Sequence, residues 1–214
     1  MRHLLILLAS LLVTSSVAAI PITYEQIATE LNEASLEIYI EEVARAQKVG
    51  PKNFSLYQLR GNAQQRAQDV LDQATTLYNL PRHELSTIRW SLKDHRAGAV
   101  SGCSARPIMF LNEILYIRNY DRFMNQTIPH EVAHIVACML DPKRYDKKGY
   151  NPHDLLWAEV MDTLGLAPTE LHDMDVTPID LYNSRVEAMA LEYAVERGYR
   201  MEVLTPADLS CTLP

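Results

Sequence analysis

Apolar side chains recur every three or four residues along much of the chain, which is the spacing of α-helices with one buried face. A shorter helix is predicted between the second and third long ones. The predicted helices run from Thr23 to about Gly50, Leu56 to Tyr78, Glu113 to Tyr120, Thr127 to Leu140, Asn151 to Gly165 and over residues 178–198.

After residue 85 the apolar period changes to two residues for a short stretch. Ile88, Trp90 and Leu92 alternate with polar residues, as in a half-buried strand. Ala99 to Ser104 and Ile108 to Leu111 predict two further short strands. Tight connections between the three predict a small three-stranded antiparallel sheet. Helices packed on such a sheet make an α+β fold.

The first 19 residues follow a different pattern. Arg2 precedes an apolar run from Leu4 to Val13, and small residues follow up to Ala19. This is the three-part form of a secretory signal peptide, with cleavage expected after Ala18 or Ala19. The apolar run is shorter than the ~20 residues of a membrane span, so no stable span is expected. An uncleaved anchor and a buried N-terminal helix are the alternatives. The prediction is a secreted or periplasmic protein.

Composition indicates one globular domain. The chain has 214 residues, of which 48% are hydrophobic and 22% charged, enough for one domain with a real core. The expected divisions are a signal peptide over 1–19, N-terminal helices over 20–85, a core over 86–176, and a C-terminal helix and tail over 177–214. The formal net charge of −7 argues against a broad basic surface for nucleic acid.

The chemistry concentrates in the predicted helix from Thr127 to Leu140. His130 and His134 stand four apart, so both imidazoles lie on one helical face, with Glu131 beside them. Two histidine ligands and a glutamate base at this spacing are typical of a zinc metallopeptidase helix. Thr127 is predicted to cap the helix and Asp141-Pro142 to end it.

A third ligand is expected from further along the chain. His153 is placed in the first turn of the next helix, which Asn151 is predicted to cap, and zinc would keep its fourth position for water. Spacing alone leaves four further candidates open, namely His172, Asp173, Asp154 and Glu159. His95 is interpreted as a turn residue, and the basic loop from Asp141 to Asn151 as solvated.

Three cysteines, Cys103, Cys138 and Cys211, allow one disulfide and one free thiol in an exported protein. The sequence leaves the pairing open. Cys138 follows His134 by four residues, so metal contact is conceivable. A packed or disulfide-bonded Cys138 is favoured, because cysteine usually behaves as a small buried hydrophobe.

Several features stand in order between about Trp90 and Val176. They are Asp94-His95-Arg96 with Gly98 or Gly102, Ile108 to Asn112 with Ile114-Leu115, Phe123 to His134, then His153, Trp157, Met161 and Gly165, and finally His172 and Asp175. Together they resemble the SprT-like domain, the zinc metalloprotease module of bacterial SprT and eukaryotic Spartan proteins.

The resemblance implies a zincin-like fold, Zn²⁺ bound by His130, His134 and His153, and Glu131 as the catalytic base acting on a protein or peptide substrate. This chain departs from the family in lacking a four-cysteine ribbon, in its acidic composition and predicted export, and in having Asp154 where a glycine usually follows the third histidine. A non-catalytic secreted module with a structural zinc and a DNA-associated intracellular protease are the alternative functions.

Overall fold

A computed structural model describes residues 24–101, 106–144 and 149–196. The predicted signal peptide, the predicted cap Thr23, Cys103 and Cys211 lie outside the described residues. Within those residues, no helix is both long enough and apolar enough to cross a bilayer.

The described residues are mainly helical, in agreement with the predicted pattern. The strands are β1 (Gly98–Ser101) and β2 (Ile108–Leu111), and a π-helical turn covers Phe123–Thr127. The helices are α1 (Tyr24–Val49), α2 (Leu56–Leu77), α3 (Glu113–Arg118), α4 (Tyr120–Arg122), α5 (Ile128–Leu140), α6 (Leu155–Thr163) and α7 (Thr177–Glu196).

The chain divides into two compact units. The first comprises residues 1–40 and 181–214, and its described part consists of the first half of α1 and most of α7. Tyr39 packs edge-to-face on Tyr182, with ring centroids 5.9 Å apart. The Tyr193 hydroxyl donates to Glu30, 2.7 Å away. These two contacts show that the helices of this unit run antiparallel.

The second unit, residues 41–180, contains the sheet and the histidine-bearing helix. There α5 packs against α2 on one side and α6 on another, and β1 also lies against it. Nearly all of α5 is buried, including Ile128, Val132 and Val136. Burial of this apolar helix explains its position at the centre of the unit, since each such side chain gains roughly 1.5–3 kcal/mol on leaving water.

The sheet has two strands, so the prediction of three was wrong for the described residues. β1 and β2 pair antiparallel, with Gly98 opposite Leu111 and Ser101 opposite Ile108. The predicted first strand contributes one parallel bridge, between Arg89 and Phe110. Ile88 is nevertheless buried and Arg89 exposed, as the alternating pattern requires.

Glutamines of α2 bond the backbone of this segment. The Gln64 side chain accepts the Ile88 N–H at 2.9 Å, and that of Gln68 accepts the Leu85 N–H at 2.9 Å and donates to the His83 carbonyl at 2.9 Å. Arg89 bonds instead to the backbone of β2, so the segment's part-buried backbone groups are satisfied from both the helix and the sheet.

The start of α5 also differs from the prediction. Thr127 has helical backbone angles and makes no side-chain capping bond, because the π-helical turn leads directly into the helix. The predicted end at Asp141 is confirmed. α2 has the expected bounds and begins with a capping box formed by Ser55 and Gln58.

Candidate metal centre

Two histidines on α5 form one side of the site. His130 and His134 are one helical turn apart, and their Nε2 atoms lie 3.2 Å from each other. His134 is 8% exposed. Pro129 stands in the first turn of α5, directly after the π-helical turn that covers Phe123–Thr127. The helix therefore presents both imidazoles to the same point.

His153 completes the cluster from the loop before α6. Its Nε2 lies 3.1 Å from that of His130, and the ligand atoms of the three histidines all lie within 4.8 Å of one another. The prediction that His153 sits inside the first turn was wrong. The helix begins at Leu155, and the Asp154 carboxylate caps it by accepting the Trp157 N–H at 3.1 Å, whereas Asn151 accepts the N–H of His153.

The donor set fits a zinc ion. Zinc–imidazole bonds of 2.0–2.1 Å in a tetrahedron place neighbouring nitrogens about 3.4 Å apart, close to the 3.1 Å and 3.2 Å that separate Nε2 of His130 from those of His153 and His134. In the described part of the chain, no cysteine or carboxylate joins the three histidines within ligand distance. Three protein ligands with one remaining position are typical of catalytic zinc, whereas structural zinc usually has four.

Trp157 forms the wall behind the three imidazoles. The indole is 1% exposed and stacks on His134 with ring centroids 5.5 Å apart. It meets His130 and His153 edge-on, at 4.9 Å and 4.6 Å. This apolar wall restricts the imidazole orientations and lowers the local polarity.

The surroundings keep the histidines neutral. Burial is the main cause that lowers the pKa of His130 to about 4 and that of His134 to about 3, and the neighbouring histidines add to it. Burial also lowers the pKa of His153. Neutral imidazole is the form that binds a metal ion, so proton competition at neutral pH is small.

Backbone groups lie near the rings of the two histidines of α5. The backbone of Thr169 opposes the fall in the pKa of His130, and the backbone of Pro152 opposes that in the pKa of His134. Proline has no N–H, so the group on Pro152 is its carbonyl oxygen. A carbonyl at one ring nitrogen favours the tautomer that leaves the opposite nitrogen available for a metal.

Glu131 lies beside the histidines and is 5% exposed. Burial raises the pKa of Glu131 to about 8, and the positive charge of Arg96 opposes this shift. Gly98, at the start of β1, makes room for the side chain, since a Cβ at position 98 would lie 2.5 Å from the Glu131 carboxylate oxygen. A cation at the histidines would favour the ionised carboxylate.

The other sequence candidates lie outside the cluster. His172 bonds to the His95 carbonyl, and the His95 ring bonds to Asp180 at 2.6 Å. Asp173 pairs with Arg122, while Glu159 belongs to α6 and is absent from the histidine group. The interpretation of Asp154 as a helix cap is confirmed.

Two further residues of this region had been interpreted from the sequence, and the interpretation was wrong for Arg144 and confirmed for Cys138. Arg144 belongs to the loop predicted to be solvated, yet it is 1% exposed. Cys138 is 1% exposed and disulfide-bonded, which confirms a packed or bonded cysteine over a metal contact. Burial of a loop residue such as Arg144 leaves no periodic signal in the sequence. A buried arginine in a basic loop therefore cannot be recognised from the pattern.

Comparison with known proteins assigns the chain to a family. The model of the SprT-like family matches residues 65–178, which is more than half of the chain. The chain belongs to the SprT-like family. Domains of this family are often zinc metallopeptidase-like, and the cluster of three histidines is compatible with that chemistry.

Curated relatives agree with the family assignment. Protein SprT of Pasteurella multocida (strain Pm70) is 27% identical over 125 residues, covering 58% of this chain and 70% of that protein. Protein SprT of Vibrio parahaemolyticus is 28% identical over 104 residues, covering 47% of this chain and 59% of that protein. Protein SprT of Actinobacillus succinogenes is 30% identical over 94 residues, covering 44% of this chain and 51% of that protein. No solved structure matches significantly.

Proposed function

We propose that this chain is a zinc metalloendopeptidase. The observation that carries the proposal is the placement of a buried carboxylate, Glu131, beside three neutral histidines whose nitrogens converge at zinc-ligand spacing. Membership of the SprT-like family supports it. His130, His134 and His153 are the proposed ligands, and Glu131 is the proposed general base.

Bound zinc would polarise the scissile carbonyl and lower the pKa of its water toward ~7. Glu131 is placed to act as the base: it would accept a proton from the attacking water and later give it to the leaving amine. Its buried position keeps bulk water away from the carboxylate, so its basicity is set by its few neighbours, among them Arg96. Gly98 keeps the space that this side chain occupies.

The sheet offers a place for an extended peptide. Within the described residues β1 pairs with β2 alone, and an extended peptide added along its other edge would pair with its backbone groups. β1 also carries Gly98, which touches Glu131. A peptide aligned along β1 would therefore pass close to the proposed base, which supports a polypeptide substrate.

The proposed working place is outside the cytoplasm. The N-terminal pattern of residues 1–19 predicts export. The disulfide bond of Cys138 supports it independently, because such bonds persist mainly in oxidising compartments. N-terminal sequencing of the protein purified from its native host tests this point, and a start near Ile20 is the expected result.

Cleavage of casein or a peptide library by wild type and by Glu131→Gln tests the function, with bound zinc measured in both. Gln is close in shape to Glu but cannot accept the proton. We expect one zinc in each protein and a loss of at least about 10²-fold in turnover for the variant. Substantial proteolysis by Glu131→Gln would refute the role of Glu131. Zinc in both without cleavage by either would indicate a structural site.

A further inference from the structure

Arg144 is a buried cation beside the candidate metal centre. Arginine is almost never fully buried unless it is paired, yet this side chain is 1% exposed. Its Nη2 atom donates to the Asp154 carboxylate at 2.6 Å and to the Pro152 carbonyl oxygen at 3.4 Å. One guanidinium nitrogen thus serves both acceptors.

The two acceptors lie on either side of His153. Pro152 precedes it in the chain, and Asp154 follows it and caps α6 through the Trp157 N–H. The guanidinium therefore connects the end of the loop to the start of the helix across the histidine. With both neighbours held, the backbone of His153 has little freedom to move.

The same carbonyl connects Arg144 to a second histidine. The Pro152 carbonyl and the charge of Arg144 are both close enough to the ring of His134 to act on it. One group of neighbouring residues therefore includes the two neighbours of His153 and the surroundings of the His134 ring. The resemblance has a glycine after the third histidine, so the carboxylate of this group is a feature of this chain.

We propose that Arg144 is a positioning residue that holds His153, and through Pro152 also His134, in metal-binding geometry. The inference rests on the proposed function for the identity of the ligand. Nε and Nη1 of Arg144 have no hydrogen-bond partner among the described residues. Removing one partner of a buried ion pair usually destabilises a protein, because the other charge is left without its partner. The Asp154 side chain is 37% exposed, so water can hydrate its carboxylate in Arg144→Met and limit that loss. Metal affinity is therefore measured separately from stability.

The test compares zinc affinity in the full chain for wild type, Arg144→Met, Asp154→Asn and the double variant, by competition with a chelator. Met fills similar volume without donors, and Asn retains the helix cap. Loss of an outer contact to a metal ligand typically weakens binding 10–100-fold, which is the expected effect of Arg144→Met. The double variant is expected to bind no more weakly than the weaker single variant, because both changes break one interaction.

Arg82→Met is the matched control. Arg82 also pairs with a carboxylate, Asp72 at 3.0 Å, but its side chain is 75% exposed. We expect unchanged zinc affinity in this variant. Apo-protein unfolding is measured in parallel, and stability of Arg144→Met near that of wild type separates lost positioning from lost folding. If Arg144→Met does not fold, Asp154→Asn tests the same pair from the other side.

A second readout separates this inference from the proposed function. The imidazole resonances of His153 are recorded by NMR in the metal-free proteins, where an ordered ring in wild type and a mobile one in Arg144→Met are expected. If wild type binds zinc, an affinity of the variant within about twofold of wild type overturns the positioning role. If wild type binds no zinc, the proposed function fails, and the His153 ring then decides: a change supports positioning and an unchanged ring overturns it.

Discussion

At the scale of single residues, Gly98 and Glu131 share one confined space. The sequence singled out Glu131, because its spacing from two histidines is a chemical signal. Gly98 entered only through a resemblance, since its contact with Glu131 joins positions 33 apart in the chain. His153 was one of five candidates by spacing, and it is the family resemblance and the fold that distinguish it from His172. Short motifs can thus be read from sequence, while contacts across the fold cannot.

Replacing Gly98 by alanine tests this contact. The new Cβ would lie 2.5 Å from the Glu131 carboxylate oxygen and would displace it. A shift of about 1 Å in a reacting group can cost about 10²-fold in rate, so kcat/KM is expected to fall by that order while bound zinc is unchanged.

Gly61→Ala is the control for this change. Gly61 lies in α2 with no atom within 4 Å of a built Cβ. Full activity and a gain of about 0.5–1 kcal/mol in the free energy of unfolding are expected. Undiminished peptidase activity of Gly98→Ala would contradict the proposed crowding at Glu131.

Lys93 makes stability depend on pH. Burial lowers the pKa of Lys93 to about 7 from 10.5, with the Glu113 carboxylate opposing the shift and Arg60 adding to it. Between pH 7 and 10 the unfolded chain therefore holds more protons at this position than the folded chain, and stability rises with pH.

The measurement is urea unfolding of wild type and Lys93→Met at pH 7, 8 and 9. The free energy of unfolding of wild type is expected to rise relative to that of the variant, by at most about 1.4 kcal/mol per pH unit. A constant difference over this range would show that the amine is not buried enough to shift its pKa.

At the scale of elements, periodicity predicted the positions of the helices better than the caps at their ends and the number of strands in the sheet. The bounds of α2 agree within one residue with the prediction. The segment containing Ile88 alternates as expected, but alternation reports which side chains face the core, not which backbone groups pair. The side chains of Gln64 and Gln68 in α2 accept backbone N–H groups of this segment. No sequence pattern predicts such side-chain bonds.

Gln68→Ala tests how much these side-chain bonds contribute to stability. The change leaves the Leu85 N–H and the His83 carbonyl without their partner, and each such loss costs about 1–3 kcal/mol where the group is buried. Chemical denaturation is therefore expected to show a loss of that order. Gln65→Ala is the control, because Gln65 is exposed and bonds only to Asp69 one turn away, and it should lie within about 0.5 kcal/mol of wild type. Equal effects of the two variants would remove the proposed role of Gln68.

At the scale of the whole molecule, family membership and the histidine cluster agree, while substrate and location stay proposals. The disulfide of Cys138 lies on the same helix as His130 and His134, four residues beyond the second. We expect this bond to restrain the helix that carries two proposed ligands, so reduction is expected to loosen that helix.

Thiol titration in denaturant tests the oxidised state. With three cysteines in the chain, one free thiol is expected before reduction and three afterwards. Because a native disulfide typically contributes about 2–5 kcal/mol, reduction should lower the free energy of unfolding by that order. Three free thiols in protein purified from an oxidising compartment would rule out the bond.

The most direct test of the central claim is zinc titration of the metal-free chain, with peptide cleavage followed at each step. The account predicts that cleavage appears with zinc, rises in proportion to bound metal and levels off at one ion per chain, whereas His134→Ala gains neither metal nor activity. Full cleavage by the metal-free chain, or one bound zinc in His134→Ala with wild-type activity, would contradict it.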